Sequence, residues 1–330
     1  MSDGISIAEC TARAERRADL TGYRSDSRFD HPALLYRGED EYVAGTTAFV
    51  RAALTDGDPV LVAVPDKNLD LIRDALTDVA DGVVFTDMAI AGRNPGRIIP
   101  RILLKFAADH PGRHISMVGE PMWPDRTALE YPACATHEAL INTAFAHHDA
   151  AILCPYDAVR LEPEAIEDAW RTHPTMLDSG VHRPSDRYTD PLATAATFNH
   201  EFPAPPEDAE SLAYGESSSL AAVRCFVRRH AAACLSTDST EDLVLAANEL
   251  AANTIEHTDD QGHITIWTEP GVLICQVQDA GHLTDPLAGR RLPRPDRLGG
   301  YGLILANDLC DLVRIHTTPT STTIRLHKYL

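Results

Sequence analysis

The sequence predicts an α/β protein of two domains: an N-terminal doubly wound parallel sheet and a C-terminal two-layer α/β sandwich. Three observations carry this. At 330 residues the chain exceeds the size at which a single hydrophobic core keeps growing. From His31 to about Trp170, short β-branched or apolar runs alternate with helix-length segments, the pattern of a parallel sheet covered on both faces. From about Ser217 the order reverses: helix-like stretches come first and alternating strands follow.

In the first region ALLYR (33–37), PVLVAVP (59–65), GVVFTD (82–87), RHISMVGEP (113–121) and AAILCPYD (150–157) read as buried strands. EDEYVAGTTAFVRAALTDG and NPGRIIPRILLKFAADHPG, with apolar residues at helical spacing, read as helices between them. After Trp170 a stretch rich in Pro, Asp, Ser and Thr lacks sustained periodicity and reads as a linker or a wrapping arm. SSSLAAVRCFVRRHAAACL and STEDLVLAANELAANTIEHT then give two helices, HITIWTE and GVLICQVQDAG two strands, GGYGLILANDLCD a helix, and LVRIHTT and STTIRLHKY the closing strands. The expected division is an N-terminal extension over 1–30, a first domain over 31–175, a Pro-rich linker over 176–207 and a second domain over 208–330.

Lys and Arg total 29 against 49 Asp and Glu, a formal net charge of -20. Such a surface repels a phosphate backbone, so nucleic acid is not expected as a direct partner. The first residues lack the apolar core of a secretory signal and no run has the length of a membrane span, so a soluble, cytoplasmic protein is expected. Seven cysteines without a CxxC spacing argue against a disulfide framework or a zinc site and for buried free thiols.

NELAANTIEH (248–257) sets Glu249, Asn253 and His257 four residues apart, which on a helix places a carboxylate, an amide and an imidazole on one face. Alone, this is equally well a solvent-facing stripe opposite Leu243, Ala247, Leu250, Ala251 and Ile255. Two further stations weigh for a ligand site. A strand ends in Asp279-Ala280-Gly281, and Leu298-Gly299-Gly300-Tyr301-Gly302 enters a helix. A strand-end aspartate can accept from an exocyclic amine, a glycine turn at a helix start offers N–H groups to phosphates, and an asparagine amide oxygen suits magnesium. Together they describe a site for ATP and Mg2+.

These three stretches resemble the Bergerat-fold (GHKL) ATPases shared by gyrase, Hsp90, histidine kinases and bacterial anti-sigma-factor kinases. NELAANTIEH looks like the N box, QDAGHLTDP like the first glycine box and LGGYGLIL like the second. Order, spacing and the terminal STTIRL strand are most similar to the compact anti-sigma-factor serine kinases of actinobacteria, over about 208–330. The resemblance implies that Asn253 holds magnesium, Asp279 reads the adenine amine and Gly281 lets the base approach. It further implies that Gly299, Gly300 and Gly302 wrap the phosphates, that Thr323 supports adenine from the last strand, and that Glu249 is the general base. Leu283 departs from the pattern, standing where the first glycine box usually has a second glycine. The lid GRRLPRPDRLGG carries Arg290, Arg291, Arg294 and Arg297, any of which could reach a γ-phosphate, while a solvated basic loop is an equal reading.

Residues 31–175 resemble the MEDS sensory domain through HPALLYRGEDE, the VGEP turn, the helix with Glu138 and Asn142, and AILCPYD. This implies a RecA-like doubly wound sheet. RGEDE stands where a phosphate loop would follow the first strand, so no triphosphate cradle is expected there. The carboxyl edge of the strands would gather Tyr36, Asp66, Asp87, Glu120 and Asp157, with His31 near the first strand, around a small-molecule ligand; polar residues that merely end strands are the plainer reading.

The function implied is an ATP-dependent serine/threonine kinase of the anti-sigma-factor type, under a sensory domain that takes a small-molecule ligand. Its partners would be a sigma factor or an anti-sigma-factor antagonist protein, and the resemblance admits a homodimer. A sensor histidine kinase shares the ATP boxes but requires a phosphoacceptor histidine on a helical hairpin; only one helix precedes the N box, and its His230 is followed by AAAC. A nucleotide-dependent binding module without turnover is the third reading, which Leu283 keeps open.

Overall fold

A computed structural model describes residues 28–215, 219–258, 261–291 and 300–330. The chain divides into two compact units: one runs to Ala91 and resumes over Lys105–Thr194, and the other combines Gly92–Leu104 with Ala195–Leu330.

The first unit is built on β1 (Phe29–Asp30), β2 (Pro32–Tyr36), β3 (Val60–Val64), β4 (Val83–Asp87), β5 (Ile115–Gly119), β6 (Ala150–Asp157), β7 (Thr175–Asp178) and β8 (Val181–Pro184). The strand order is β4-β3-β5-β6-β2-β7-β8, with β1 added against β6. Every pairing is parallel except the β7–β8 hairpin. The helices are α1 (Glu39–Thr55), α2 (Asp66–Ala75), α3 (Met88–Ala91), α4 (Leu104–Asp109), α5 (Tyr131–Ala144) and α6 (Pro163–Thr172), followed by α7 (Pro191–Thr197). Residues of β2, β3, β5 and β6 are buried at every position, because the connecting helices cover both faces and leave no side for polar alternation. One core joins Tyr42 and Val50 of α1 and Ile72 of α2 to Leu34, Val62, Val118 and Leu153 of the strands.

The second unit carries an antiparallel sheet of β9 (Glu210–Tyr214), β10 (Gly262–Glu269), β11 (Val272–Asp279), β12 (Leu312–Thr318) and β13 (Ser321–Tyr329) in the order β12-β13-β11-β10-β9. One face is covered by α8 (Leu220–Ala231), α9 (Thr237–His257) and α10 (Gly302–Leu309). Val223 and Val227 of α8, Leu243, Ala247, Leu250 and Ala251 of α9, and Ala306 of α10 share one core with Ile264, Cys275, Val277, Ile324 and Leu326. This is the expected two-layer sandwich.

The structure departs from the sequence reading at two places. Residues 176–207 are not a bare linker: β7 pairs in parallel with β2 and β8 folds back on β7, after which α7 forms. Beyond α7, the Asn199 side chain donates to Thr317 O at 2.7 Å and accepts from Thr317 N at 3.0 Å. The second departure is at 92–104. NPGRIIPRILLK is a turn of 3-10 helix (Pro95–Arg97), then a π-helix (Ile98–Leu103), before α4 begins. Pro100 lies inside the π-helix, where the ordinary helical pattern would bring its ring against a preceding carbonyl and leave that carbonyl without a donor.

This segment packs as part of the second unit. The buried Asn94 amide donates to Asn307 O at 2.9 Å and Asn307 Oδ1 at 3.1 Å, and Arg101 forms a fork with Asp308 at 3.0 and 2.5 Å. Gly96 lies so close that a Cβ there would be 2.1 Å from Asn307 Oδ1. Among the described residues no helix is long and apolar enough to cross a membrane.

Candidate functional site

Ser236 opens α9, its hydroxyl accepting from Ser239 N at 3.2 Å, which satisfies one of the helix's unpaired first-turn donors. Leu243, Ala247, Leu250 and Ala251 face the sheet. Glu249 and Asn253 are half-buried one turn apart, and His257 is exposed at the helix end. Among the described residues the Glu249 carboxylate and the Asn253 amide are engaged by no hydrogen bond or ion pair.

In β11, Leu273, Cys275 and Val277 point into the helix-covered core, so strand alternation aims Asp279 the same way. Its carboxylate is held at both oxygens: Thr254 Oγ1 donates to Oδ2 at 2.7 Å and Gly281 N donates to Oδ1 at 2.8 Å. Behind it the Tyr214 hydroxyl lies 3.0 Å from Thr254 Oγ1. Burial pushes the Tyr214 phenol up to about 12, so it keeps its proton and donates to the threonine, whose own proton goes to the carboxylate. Each aspartate oxygen has a further lone pair for an exocyclic amine. A Cβ on Gly281 would lie 2.9 Å from Asp279 Oδ1 and 3.0 Å from Thr258 Cγ2, so the glycine is what lets the turn close on the carboxylate.

The floor of this turn comes from the last strand. Asp279 and Thr322 are paired across β11 and β13, and Thr322 Oγ1 donates to Gly281 O at 2.9 Å. Thr322, Ile324 and Leu326 share the helix-covered side. The pleat therefore turns Thr323, expected to support adenine, to the other face of the sheet; the position that meets the first glycine box is Thr322. Leu283 needs no glycine, since its N–H donates to Thr317 Oγ1 at 3.1 Å and its side chain packs on the core.

At the phosphate end, Gly300 has φ +83, a left-handed conformation that suits glycine. Gly302 starts α10, where no side chain caps the helix, leaving its first N–H groups to a ligand or water. A Cβ on Gly302 would lie 2.8 Å from Asn253 Nδ2. The N-box asparagine and the second glycine turn, 49 positions apart in the chain, thus meet side by side. Gly299, Arg294 and Arg297 lie outside the described residues. Arg291 pairs with Asp285 at 3.2 Å.

Sequence reasoning missed Thr254, Tyr214, Thr317 and Thr322. Thr254 adjoins Asn253, so its inward face was available from helical spacing against Leu250; Thr322 required the β11–β13 register.

In the first unit the carboxyl edge gathers less than expected. Asp66 Oδ1 accepts from Lys67 N, Asp87 Oδ1 from Ala89 N, and Asp157 Oδ1 from Val159 N and Arg160 N, so these three fix turns. Glu120 is different. Fully buried, it accepts from Asn68 Nδ2 at 2.9 and 2.8 Å, Tyr42 OH at 3.1 Å and Tyr36 OH at 3.4 Å, and burial pushes its carboxyl up to about 8. His31 precedes β2 while Tyr36 closes it, so the histidine lies at the opposite strand end and belongs to another cluster.

Residues 30–174 match the family model described as the methanogen/methylotroph DcmR sensory domain, MEDS, and residues 215–328 match that of the histidine kinase-like ATPase domain. The chain carries a MEDS domain followed by a histidine kinase-like ATPase domain. That pairing implies ATP as nucleotide and a regulatory protein of kinase type. The comparison with curated proteins found no match to the chain. Among solved structures it is similar to the RsbU and RsbW domains of Rv1364c from Mycobacterium tuberculosis, at 21% identity and a TM-score of 0.29 over 37% of this chain and 32% of that one. The likeness thus spans about a third of that chain's length.

The ATPase-domain residues fit this nucleotide. Asp279 is an oriented acceptor, Gly281 and Gly302 lie where a Cβ would collide, and Asn253 Oδ1 is a neutral oxygen ligand of the kind magnesium takes.

Proposed function

We propose that the chain is an anti-sigma-factor-type serine/threonine kinase whose ATPase domain is governed by a small molecule bound in the MEDS domain. Bound magnesium neutralises phosphate charge and orients the transferred group. The chain's own residues do the rest. Asp279 accepts from the adenine amine, the first N–H groups of α10 hold phosphate oxygens, Asn253 supplies a metal ligand, and Glu249 takes the proton of an attacking hydroxyl.

The observation that carries this reading is the meeting of Asn253 with Gly302, one helical turn from Glu249 on the same face of α9. An amide oxygen and a carboxylate beside a helix N-terminus support a metal ligand and a base there, with adenine recognition left to the Asp279 network. The first helix of the domain also favours transfer to a partner over transfer to an internal histidine. α8 is committed to the sandwich core through Val223, Val227 and Ala231, and its His230 packs tilted against Phe226 and lies 3.5 Å from Glu210.

The experiment loads the full chain with ATP and Mg2+, identifies the proteins it retains, and incubates them with γ-labelled ATP. Acid-stable phosphate on a serine or threonine of a sigma-factor regulator is the expected result. Acid-labile, base-stable phosphate on the chain itself overturns it in favour of a histidine kinase, and ATP-dependent retention without transfer overturns it in favour of a binding module.

A further inference from the structure

Four side chains in the MEDS domain form a cluster that the proposed function does not use. His31 precedes β2, Glu138 lies on α5, Cys154 on β6, and His173 follows α6. All four are buried. Their nearest donor atoms, two imidazole nitrogens, a carboxylate oxygen and a sulfur, lie within 4.8 Å of one another.

The hydrogen bonds around the cluster fix both histidines in one tautomer. His173 Nδ1 lies 2.9 Å from Ala169 O, an atom that only accepts, so Nδ1 carries the proton. Asn142 Nδ2 donates to Thr172 O at 2.8 Å and to Ala139 O at 3.3 Å. That commits Asn142 Oδ1 as the acceptor 3.1 Å from His31 Nδ1, which must then also be protonated. In the neutral rings both Nε2 atoms then turn lone pairs inward, the arrangement by which outer partners orient metal-binding imidazoles. Between them sits Glu138, neither of whose oxygens accepts a well-formed hydrogen bond, and His173 Nε2 likewise has no hydrogen-bond partner. A buried carboxylate facing two imidazole nitrogens at 3.3–3.4 Å needs a proton or a metal cation among them.

Three of the six distances among the donor atoms are close to the edges of a coordination polyhedron, and all six lie within 4.8 Å. His31 Nε2 is 3.4 Å from Glu138 Oε2 and 3.3 Å from Cys154 Sγ, and His173 Nε2 is 3.3 Å from Glu138 Oε2. A tetrahedron with zinc–nitrogen, –oxygen and –sulfur bonds has edges of about 3.3–3.6 Å. Charge agrees as well, because one carboxylate and one thiolate balance a divalent ion and leave a neutral centre, the only kind that full burial tolerates well.

We infer that His31, Glu138, Cys154 and His173 bind a divalent transition metal ion, zinc by donor chemistry, in a closed tetrahedral site of the MEDS domain. Four protein ligands leave no open position, so the ion fastens the start of β2, α5, β6 and the end of α6 together and performs no hydrolysis. Asn142 is a positioning residue that holds the His31 ring. Each sequence gap between ligands exceeds the short spacings by which zinc motifs are read, which is why cysteine spacing argued against a zinc site.

The test strips the full chain with a chelator and titrates it with cobalt(II). Strong tetrahedral d–d bands should saturate at about one equivalent per chain, with a thiolate-to-cobalt charge-transfer band in the near ultraviolet, and zinc should bleach both. Cys154→Ser should abolish the charge-transfer band, and Asn142→Leu should weaken cobalt affinity about 10–100-fold. Cys225→Ser, at an exposed cysteine, should change nothing. X-ray absorption of the zinc-loaded wild type requires no variant to fold and should show one sulfur among lighter scatterers. Weak octahedral cobalt spectra, a charge-transfer band that survives Cys154→Ser, or a zinc shell without sulfur would each overturn the assignment.

Discussion

Replacing Gly302 with alanine separates folding from nucleotide binding at the candidate ATP site. Gly302 is the first residue of α10 and is not among the glycines with positive φ, so the backbone accepts alanine. Helix propensity then favours the variant, by up to about 1 kcal/mol. The new methyl carbon would lie 2.8 Å from Asn253 Nδ2, against an ordinary contact of about 3.5 Å. The amide must therefore retreat by roughly 0.7 Å, well beyond the ~0.2 Å tolerance of a metal–ligand distance. Because Asn253 is half-buried on one helix face, its side chain can swing aside without disturbing the core. Gly302→Ala should keep the thermal midpoint within a degree or two of wild type, or raise it, and lower affinity for ATP with Mg2+ by about 10–100-fold, roughly 1.4–2.8 kcal/mol. Calorimetry with excess Mg2+ and again with EDTA isolates the metal-dependent part, which is where the loss should fall. Unchanged affinity with Mg2+, or an equal loss in EDTA, would refute the link between Gly302 and the metal ligand.

Glu249→Gln should leave ATP affinity within about threefold and slow phosphate transfer by about two to four orders of magnitude; single-turnover transfer to the retained partner measures it, and a purely proportional loss of binding would remove Glu249 as the base. Asp279→Asn places an amide NH2 toward either Thr254 or Gly281 N, both now donating to the carboxylate, and should weaken ATP by about 1.5–3 kcal/mol while hardly affecting inorganic triphosphate. Glu120 gives a pH signature: its folded carboxyl is raised to about 8 from an ordinary 4.5. The folded state therefore retains a proton that the unfolded state loses, and the stability this contributes is full below about pH 4.5 and lost as pH rises through about 8. Denaturant midpoints of Glu120→Gln should lack that decline, and parallel profiles of the two proteins would refute the assignment.

Much of the architecture was legible in the sequence because it rests on local periodicity. The runs at 33–37, 59–65, 82–87 and 150–157 became β2, β3, β4 and β6, each a short apolar stretch bounded by turn residues. NPGRIIPRILLK failed as a regular helix because its apolar spacing is helical while Pro100 is incompatible with an uninterrupted ladder. Its assignment to the second unit rests on Asn94 and Arg101 meeting Asn307 and Asp308, pairings more than two hundred residues apart that no window of sequence contains. The arm after Trp170 misled for a related reason. β8 is a short edge strand and β7 its short neighbour, bearing Asp178, His182 and Arg183 between them, and such edges are kept polar and irregular.

The two sites differ in how far sequence reaches for a physical reason. A phosphate is held by backbone N–H groups at a helix start, so the requirement falls on consecutive residues such as Gly300, Tyr301 and Gly302 and survives as a motif. The adenine end already exceeds this: Asp279 is visible at a strand end, but Thr254 and Tyr214, which orient it, come from α9 and β9. Thr322 rather than Thr323 meets the glycine turn only because the antiparallel register sets Asp279 opposite Thr322, and a one-residue error in that register reverses the face. His31, Glu138, Cys154 and His173 are the limiting case, with one donor from each of four segments. Nothing local distinguishes any of them from an ordinary core residue. The buried carboxylate and the two imidazole nitrogens turned toward it, both properties of the folded arrangement, are what support a cation among them.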